Sequence, residues 1–317
     1  MIKFAELNKG DNPNVFALIT DVTEKEAKNG SPFLDVRLSD GEKEIVAKIF
    51  SCAKDNFGHD KGEILCMTIG VSEYNGAPSY KISNFRPADA SDGVSLSDFV
   101  LSAPISGKSM YDEFMSVAYE VETRNSALGN ILRYILMKYE DKLLYWSAAK
   151  SMHHNCYSGL LYHAYRMMHA AKGLAKVYTT ADEDILIVGA ILHDIGKIQE
   201  LETDDVGVAE YTIDGNLFGH LFLGIEMIKE AAVSVGVPAN GEVVKNLCHI
   251  IASHHYNPEW DAIKRPATLE ALLISQIDMI DSRVYMFEKA EAELAPGEIA
   301  QTSITDGIRV YRPVYRV

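Results

Sequence analysis

Basic charge is scarce in this chain. Lys and Arg number 30 against 45 Asp and Glu, a formal net charge of -15. No overall field draws in a polyanion, so a nucleic-acid substrate has to be held by local patches or by metal ions. Cysteine is scarce as well. Cys52, Cys66, Cys156 and Cys248 are scattered with no CxxC pair, which argues against a disulfide framework or a structural zinc knuckle. No apolar run approaches transmembrane length, and the opening residues, MIKFAELNKG, have no apolar signal core. A cytoplasmic protein from a reducing compartment, with no membrane partner, is the expectation. Internal repeats and low-complexity tracts are missing too.

What is present divides the 317 residues in two. Residues 1–90 alternate with period two. In Pro32–Leu38, for example, Leu34, Val36 and Leu38 face one way and Asp35 and Arg37 the other. Similar runs at 15–22, 44–50, 64–71 and 79–85 are separated by turn signals at Asn29-Gly30, Asp40-Gly41, Lys61-Gly62 and Asn75-Gly76. A small β-barrel or sandwich follows, with a five-stranded OB-like barrel as one candidate. Residues 91–107 read as a linker, amid breakers from Pro87 to Pro104. From 108 to 295 the period is helical. Leu160, Ala164, Met167, Ala171 and Leu174 form one stripe. Val243, Leu247, Ile250, Ile251 and His254 form a second, and Leu273, Ile277, Ile280, Val284 and Phe287 a third. The tail, 296–317, shows no clear period. The expected class is multidomain α and β: an N-terminal OB-like barrel, then an all-α domain.

The helical half carries the chemistry. His193-Asp194 closes a strongly apolar helix running from Asp184. Burying two such groups without partners costs several kcal/mol, and a divalent metal would supply the partner, since imidazole and carboxylate both ligate such ions. His163, His220, His254 and Asp278 each sit on, or at the edge of, a face expected to point inward. Helices can direct such groups to one point. Taken singly, each has a plainer explanation: a hydrogen-bonded core histidine, or Asp278 paired with a helix end or Arg283. Their order, H, HD, H, HH, D, favours the metal. His255 follows His254 at about 100° around a helix, so His254 is the preferred ligand and His255 a neighbour or substrate contact. His154 and Asp281 are candidates for the same supporting role. Lys197, three residues after Asp194, suits an anionic substrate or charge building on phosphoryl oxygens. His59, His169 and His249 are read as packing or surface residues.

These residues resemble the HD-domain metal-dependent phosphohydrolases. More narrowly, the chain is similar to the YhaM family of 3′-to-5′ exoribonucleases. The stretches that carry the likeness are Asn29–Leu34, Ala103–Ile105, Ser158–His163, Gly189–Lys197, Gly215–His220, Ser253–His255 and Pro296–Glu298. The resemblance spans essentially the whole chain. It implies an OB-fold joined to an HD domain, with His163, His193, Asp194, His220, His254 and Asp278 as ligands. It also implies a 3′-to-5′ exonuclease on single-stranded RNA or DNA, in which one or two ions share Asp194 and Asp194 and Lys197 are catalytic. Mn²⁺ is the first expectation, with Co²⁺, Ni²⁺, Fe²⁺ and Mg²⁺ as alternatives. Some HD proteins bind a third metal through a Glu four residues before the first His. That position is Gly159 here, so two ions are the most expected. Two departures stand out. Tyr256-Asn257-Pro258 replaces an expected glycine, and residues 1–90 hold 11 Lys and Arg against 14 Asp and Glu, a net of -3. Phe33, Phe50, Tyr74 and Tyr80 are the candidates for stacking on bases. Alternatives are a hydrolase of small or cyclic nucleotides with a regulatory β domain, a di-iron oxygenase, and a binding module with a decayed site. No decisive stripe marks a homo-oligomer interface, so self-association is left open.

Overall fold

The structure is a computed structural model. It describes residues 2–27, 30–74, 77–95, 98–149, 156–204, 209–301 and 307–315. These form two compact units. One runs from residue 2 to Ser102 and includes Asp204; the other comprises the remaining described residues from Ala103 on.

In the first unit, β1 (Asn14–Glu26), β2 (Pro32–Ser39), β3 (Glu44–Phe50), β4 (Ile64–Tyr74) and β5 (Ala77–Pro87) close a barrel in the order β1-β2-β3-β5-β4. β1 serves both sides of the closure. Asn14–Leu18 pair with β4 and Leu18–Glu26 with β2, and the register shifts between Ile19 and Asp21. Such an irregularity bends and twists a strand, as barrel closure demands. β3 and β5 pair in parallel through Ala47–Tyr80 and Lys48–Lys81. This is the OB arrangement. Alternate residues fill the interior, among them Leu34, Val36, Leu38, Ala47, Met67 and Ile69. A four-residue helix, α1 (Lys54–Phe57), lies between β3 and β4 and buries Phe57. The unit extends to Ser102 because Phe99 is buried and its carbonyl accepts a hydrogen bond from the Ser39 hydroxyl.

The second unit contains α2 (Gly107–Arg124), α3 (Ser126–Lys138), α4 (Glu140–Leu143), α5 (Gly159–Ala175), α6 (Glu183–Leu192), α7 (Lys197–Glu200), α8 (Ile213–Ser234), α9 (Glu242–Ser253) and α10 (Leu269–Ala292). α6 is buried along its apolar length, and its N-terminus is set by Asp182, whose side chain accepts from the Ile185 amide. Thr268 caps α10 in the same way. α6 lies against α5, α9 and α10, so the helices bearing the histidines share one core.

One expectation needs correction. The helical half also holds two antiparallel strand pairs, β6 (Leu201–Thr203) with β7 (Ala209–Tyr211), and β8 (Ile299–Gln301) with β9 (Arg309–Tyr311). The tail is therefore structured around Leu294 and Val310; three-residue strands are too short to leave a period in the sequence. The third apolar stripe is helical, as its period implies, and lies only partly inside. Leu273 and Ile277 are buried, but Ile280, Val284 and Phe287 are exposed. The buried face of α10 instead runs through Ile274, Ile277 and Asp281, because Asp281 is drawn in by partners on α5.

Candidate metal centre

His163 on α5, His193 and Asp194 at the end of α6, His220 on α8, His254 at the end of α9 and Asp278 on α10 meet at one point. Two glycines allow the approach. Gly219, inside α8, has φ 68 and ψ 161 and kinks the helix just before His220. At Gly196 a Cβ would lie 2.0 Å from the His220 carbonyl oxygen, so only glycine lets the turn after Asp194 press against α8.

Each imidazole is fixed through its Nδ1. His193 Nδ1 donates to the Ala190 carbonyl at 2.9 Å and His254 Nδ1 to the Ile251 carbonyl at 2.9 Å. A carbonyl can only accept, so both rings carry the proton on Nδ1 and leave the Nε2 lone pair free. His163 Nδ1 donates to Asp281 at 2.8 Å, and His220 Nδ1 to Glu200 at 3.1 Å. Every Nε2 then faces the centre. His163 and His193 bring theirs within 3.1 Å of one another. Asp194 lies between two sets. Its Oδ2 is 3.5 Å from His193 and 3.7 Å from His163. Its Oδ1 is 3.5 Å from His220 and 3.4 Å from His254. Asp278 Oδ1 is 3.3 Å from His163 Nε2.

The donor set fits divalent ions. Asp194 Oδ1, His220 Nε2, His254 Nε2 and His255 Nδ1 are buried with no hydrogen-bond partner, a costly state for polar atoms unless something coordinates them. His163, His193 and Asp278 offer ligand atoms within 4.8 Å of one another, as do His193, Asp194 and His254, and His220, His254 and His255. His255 thus joins its neighbour. His254, at the end of α9, keeps right-handed helical φ and ψ. The two ring centroids stand 4.3 Å apart.

The electrostatics agree with a site built for cations. Burial opposes charge on His163, yet the carboxylates of Asp278 and Asp281 outweigh it and push its pKa up to about 9. Burial takes His254 down to about 3, against the pull of the Asp194 carboxylate. Asp194 and Asp278 sit well below the usual carboxylate range despite burial, through Lys197 and His193 in one case and His163 in the other. Lys197 Nζ is 2.7 Å from Asp194 Oδ2.

A cavity of about 640 Å³ opens on the cluster, lined among others by Asp194, Lys197, His220, His254, His255 and Asp278. His154 lies outside the described residues. His169 pairs with Glu113 and His249 accepts from the Ala267 amide, both away from the centre. Tyr256 has φ 64, so the departure from glycine falls on a left-handed residue, at a cost of about 1–2 kcal/mol. In the barrel, Phe33 and Phe50 are cross-strand partners with ring centroids 6.0 Å apart. Lys48 lies over Phe33 at 4.8 Å and Lys81 over Phe50 at 5.9 Å. Tyr74 is exposed, whereas Tyr80 is partly buried against the barrel core.

Two supporting residues escape a reading of the sequence. Glu200 accepts from both the backbone amide and Nδ1 of His220. Arg166 Nε donates to Asp281 at 2.5 Å, completing a chain from Arg166 through Asp281 to His163. Arg166 stands three residues after His163 on one helix face, a usable signal. Glu200 gives only its place three residues after Lys197.

The HD domain family model matches residues 160–283. A 3′-5′ exoribonuclease YhaM of Halalkalibacterium halodurans is 36% identical over 306 residues, which is 96% of this chain and 94% of that one. The chain belongs to the YhaM family. Other YhaM proteins with that same description agree: one from Listeria monocytogenes is 33% identical over 99% of both chains, and one from Bacillus licheniformis 33% identical over 96% of both. Family membership and the HD domain make the chain a metal-dependent hydrolase. Among the described residues no helix is long and apolar enough to cross a membrane.

Proposed function

We propose that the protein is a 3′-to-5′ exonuclease that removes nucleotides from single-stranded RNA by hydrolysis at a divalent-metal centre. The observation that carries the reading is the placement of Asp194, with one oxygen facing His163 and His193 and the other facing His220 and His254. A carboxylate so placed can bridge two ions. His163, His193 and Asp278 would hold one, and His220, His254 and His255 the other, with Mn²⁺ as the first expectation. Bound there, such ions lower the pKa of water and neutralise phosphoryl oxygens.

The chain's own residues do the rest. Asp281, Glu200 and the carbonyls of Ala190 and Ile251 hold His163, His220, His193 and His254 so that each presents Nε2. Asp194 and Lys197 are the catalytic pair. Lys197 lines the cavity while bonded to Asp194, positioned to offset charge building on the scissile phosphate. Phe33 and Phe50, with Lys48 and Lys81 against their rings, form a local stacking and basic strip on an otherwise acidic barrel. Such a strip suits single strands.

Digestion of 5′-labelled single-stranded RNA and DNA with each of several divalent ions tests the reading. A metal-dependent ladder shrinking from the 3′ end is expected, with RNA the better substrate. A ladder shrinking from the 5′ end, or hydrolysis confined to free and cyclic nucleotides, would overturn it.

A further inference from the structure

The chain has two tryptophans, and they are used in opposite ways. Trp146 is fully buried and its indole N–H donates to the Lys197 carbonyl at 3.0 Å. Trp260 is 52% exposed and lines the cavity beside His255. Its exposure is not the result of a loose loop. The Trp260 amide bonds to the Asn257 carbonyl and the Lys264 amide to the Ala252 carbonyl. Ala262, two residues on, is buried. The segment is thus tied to the end of α9, yet its largest apolar side chain is left out of the packing. Among the described residues the indole has no ring or cation partner.

Arg283 poses the matching question in charge. It lines the same cavity from α10. It makes no ion pair or hydrogen bond among the described residues, although Asp194, Glu200, Asp261 and Asp278 line that cavity too. An arginine left unpaired in such company is available to an incoming anion. A flat apolar face and a free guanidinium on one polar cavity match the two halves of a nucleotide, the base and the phosphate.

We propose that Trp260 and Arg283 form a nucleotide subsite beside the metal centre, Trp260 stacking on the base at the 3′ end and Arg283 pairing with a phosphate. The assignment rests on the exonuclease reading, and it explains how a strand end is held while its phosphodiester lies over Asp194. Stacking serves any base, so the subsite grips the 3′-terminal nucleotide without reading its identity.

Calorimetry and indole fluorescence on the Mn²⁺-loaded full chain test this with adenosine 5′-monophosphate and ribose 5-phosphate as probes. The monophosphate is expected to quench the emission of the exposed indole; ribose 5-phosphate is not. Trp260→Ala should weaken binding of the monophosphate about tenfold and leave ribose 5-phosphate unchanged. Arg283→Gln should weaken both. In digestion, the wild type should lose about tenfold in kcat/KM when the terminal base is removed from the RNA, and Trp260→Ala should lose nothing further. Equal wild-type affinity for the two probes, or an equal loss of both in Trp260→Ala, overturns the subsite. If the monophosphate behaves as stated but no RNA is degraded, the subsite stands and the exonuclease reading falls.

Discussion

Two carboxylates, Asp194 in the helical unit and Asp35 in the barrel, show what burial adds to a charge cluster. Both sit beside cations. Asp35 bonds Lys25 at 2.6 Å and Lys48 at 2.5 Å on the barrel's outer face, with both oxygens engaged. Asp194 is buried, has Lys197 at 2.7 Å on one oxygen, and keeps its other oxygen without a hydrogen-bond partner among nearby imidazoles. The first arrangement is a solvated ion-pair network. The second is a set of preorganised polar atoms in which repulsion and desolvation are tolerated only because something else completes it. Incomplete satisfaction, rather than the number of charges, separates a site from a surface.

The comparison breaks most sharply at Asp194 itself. Asp194→Ala should remove several kcal/mol of transition-state stabilisation, a loss of about 10³-fold or more in turnover, while circular dichroism remains that of the folded chain. Near-normal turnover would place the chemistry elsewhere. Glu200→Gln tests the supporting shell, since a neutral amide no longer holds His220 as firmly. Metal affinity from an activity titration against Mn²⁺ should fall about 10–100-fold. An unchanged titration would show that His220 needs no such partner.

On the barrel side, Phe50→Ala should weaken single-stranded RNA binding by about 1–3 kcal/mol. Hydrolysis of a dinucleotide should stay unaffected. An equal loss on both substrates would move Phe50 out of the binding role. The smallest effect belongs to Asp35. Burial works to raise its pKa, but Lys25 and Lys48 prevail and lower it from 3.8. A depressed carboxylate stabilises the fold above its unfolded pKa, and that contribution disappears as pH falls through the folded value. The stabilities of wild type and Asp35→Asn should therefore differ slightly at pH 7, by less than about 1 kcal/mol, and converge as pH falls below 3.8 through the lowered value. A gap that persists in acid would point to packing rather than charge.

Much of this was legible beforehand, for reasons that differ by element. The barrel strands show because inside and outside alternate along each one, and β2 and β3 run where the alternation places them. The six ligand candidates show because polar residues interrupt apolar helix faces. For the His254–His255 pair only packing shows that both rings offer an atom to one cluster, His254 sitting at the end of α9 with helical φ and ψ. The α10 stripe shows as a helix, but a periodic apolar face records only that the helix is amphipathic. Which part of that face is covered depends on neighbours, here α5 with Arg166 holding Asp281.

The exposed Trp260 has no signature at all in sequence, where an aromatic near an active site looks like any core residue.

By itself the sequence determined the candidate ligands, the order in which the helices bring them, the two-part architecture and the family. Those depend on residue identity and local period, which are written along the chain. The tertiary structure alone decided that Asp194 divides the imidazoles into two sets, which nitrogen each ring presents, and which aromatic stays exposed at the cavity. These depend on partners far apart in sequence, such as His163 and Asp281, 118 positions away. A hydrogen bond across that separation is set by how helices pack, and local periodicity carries no information about it.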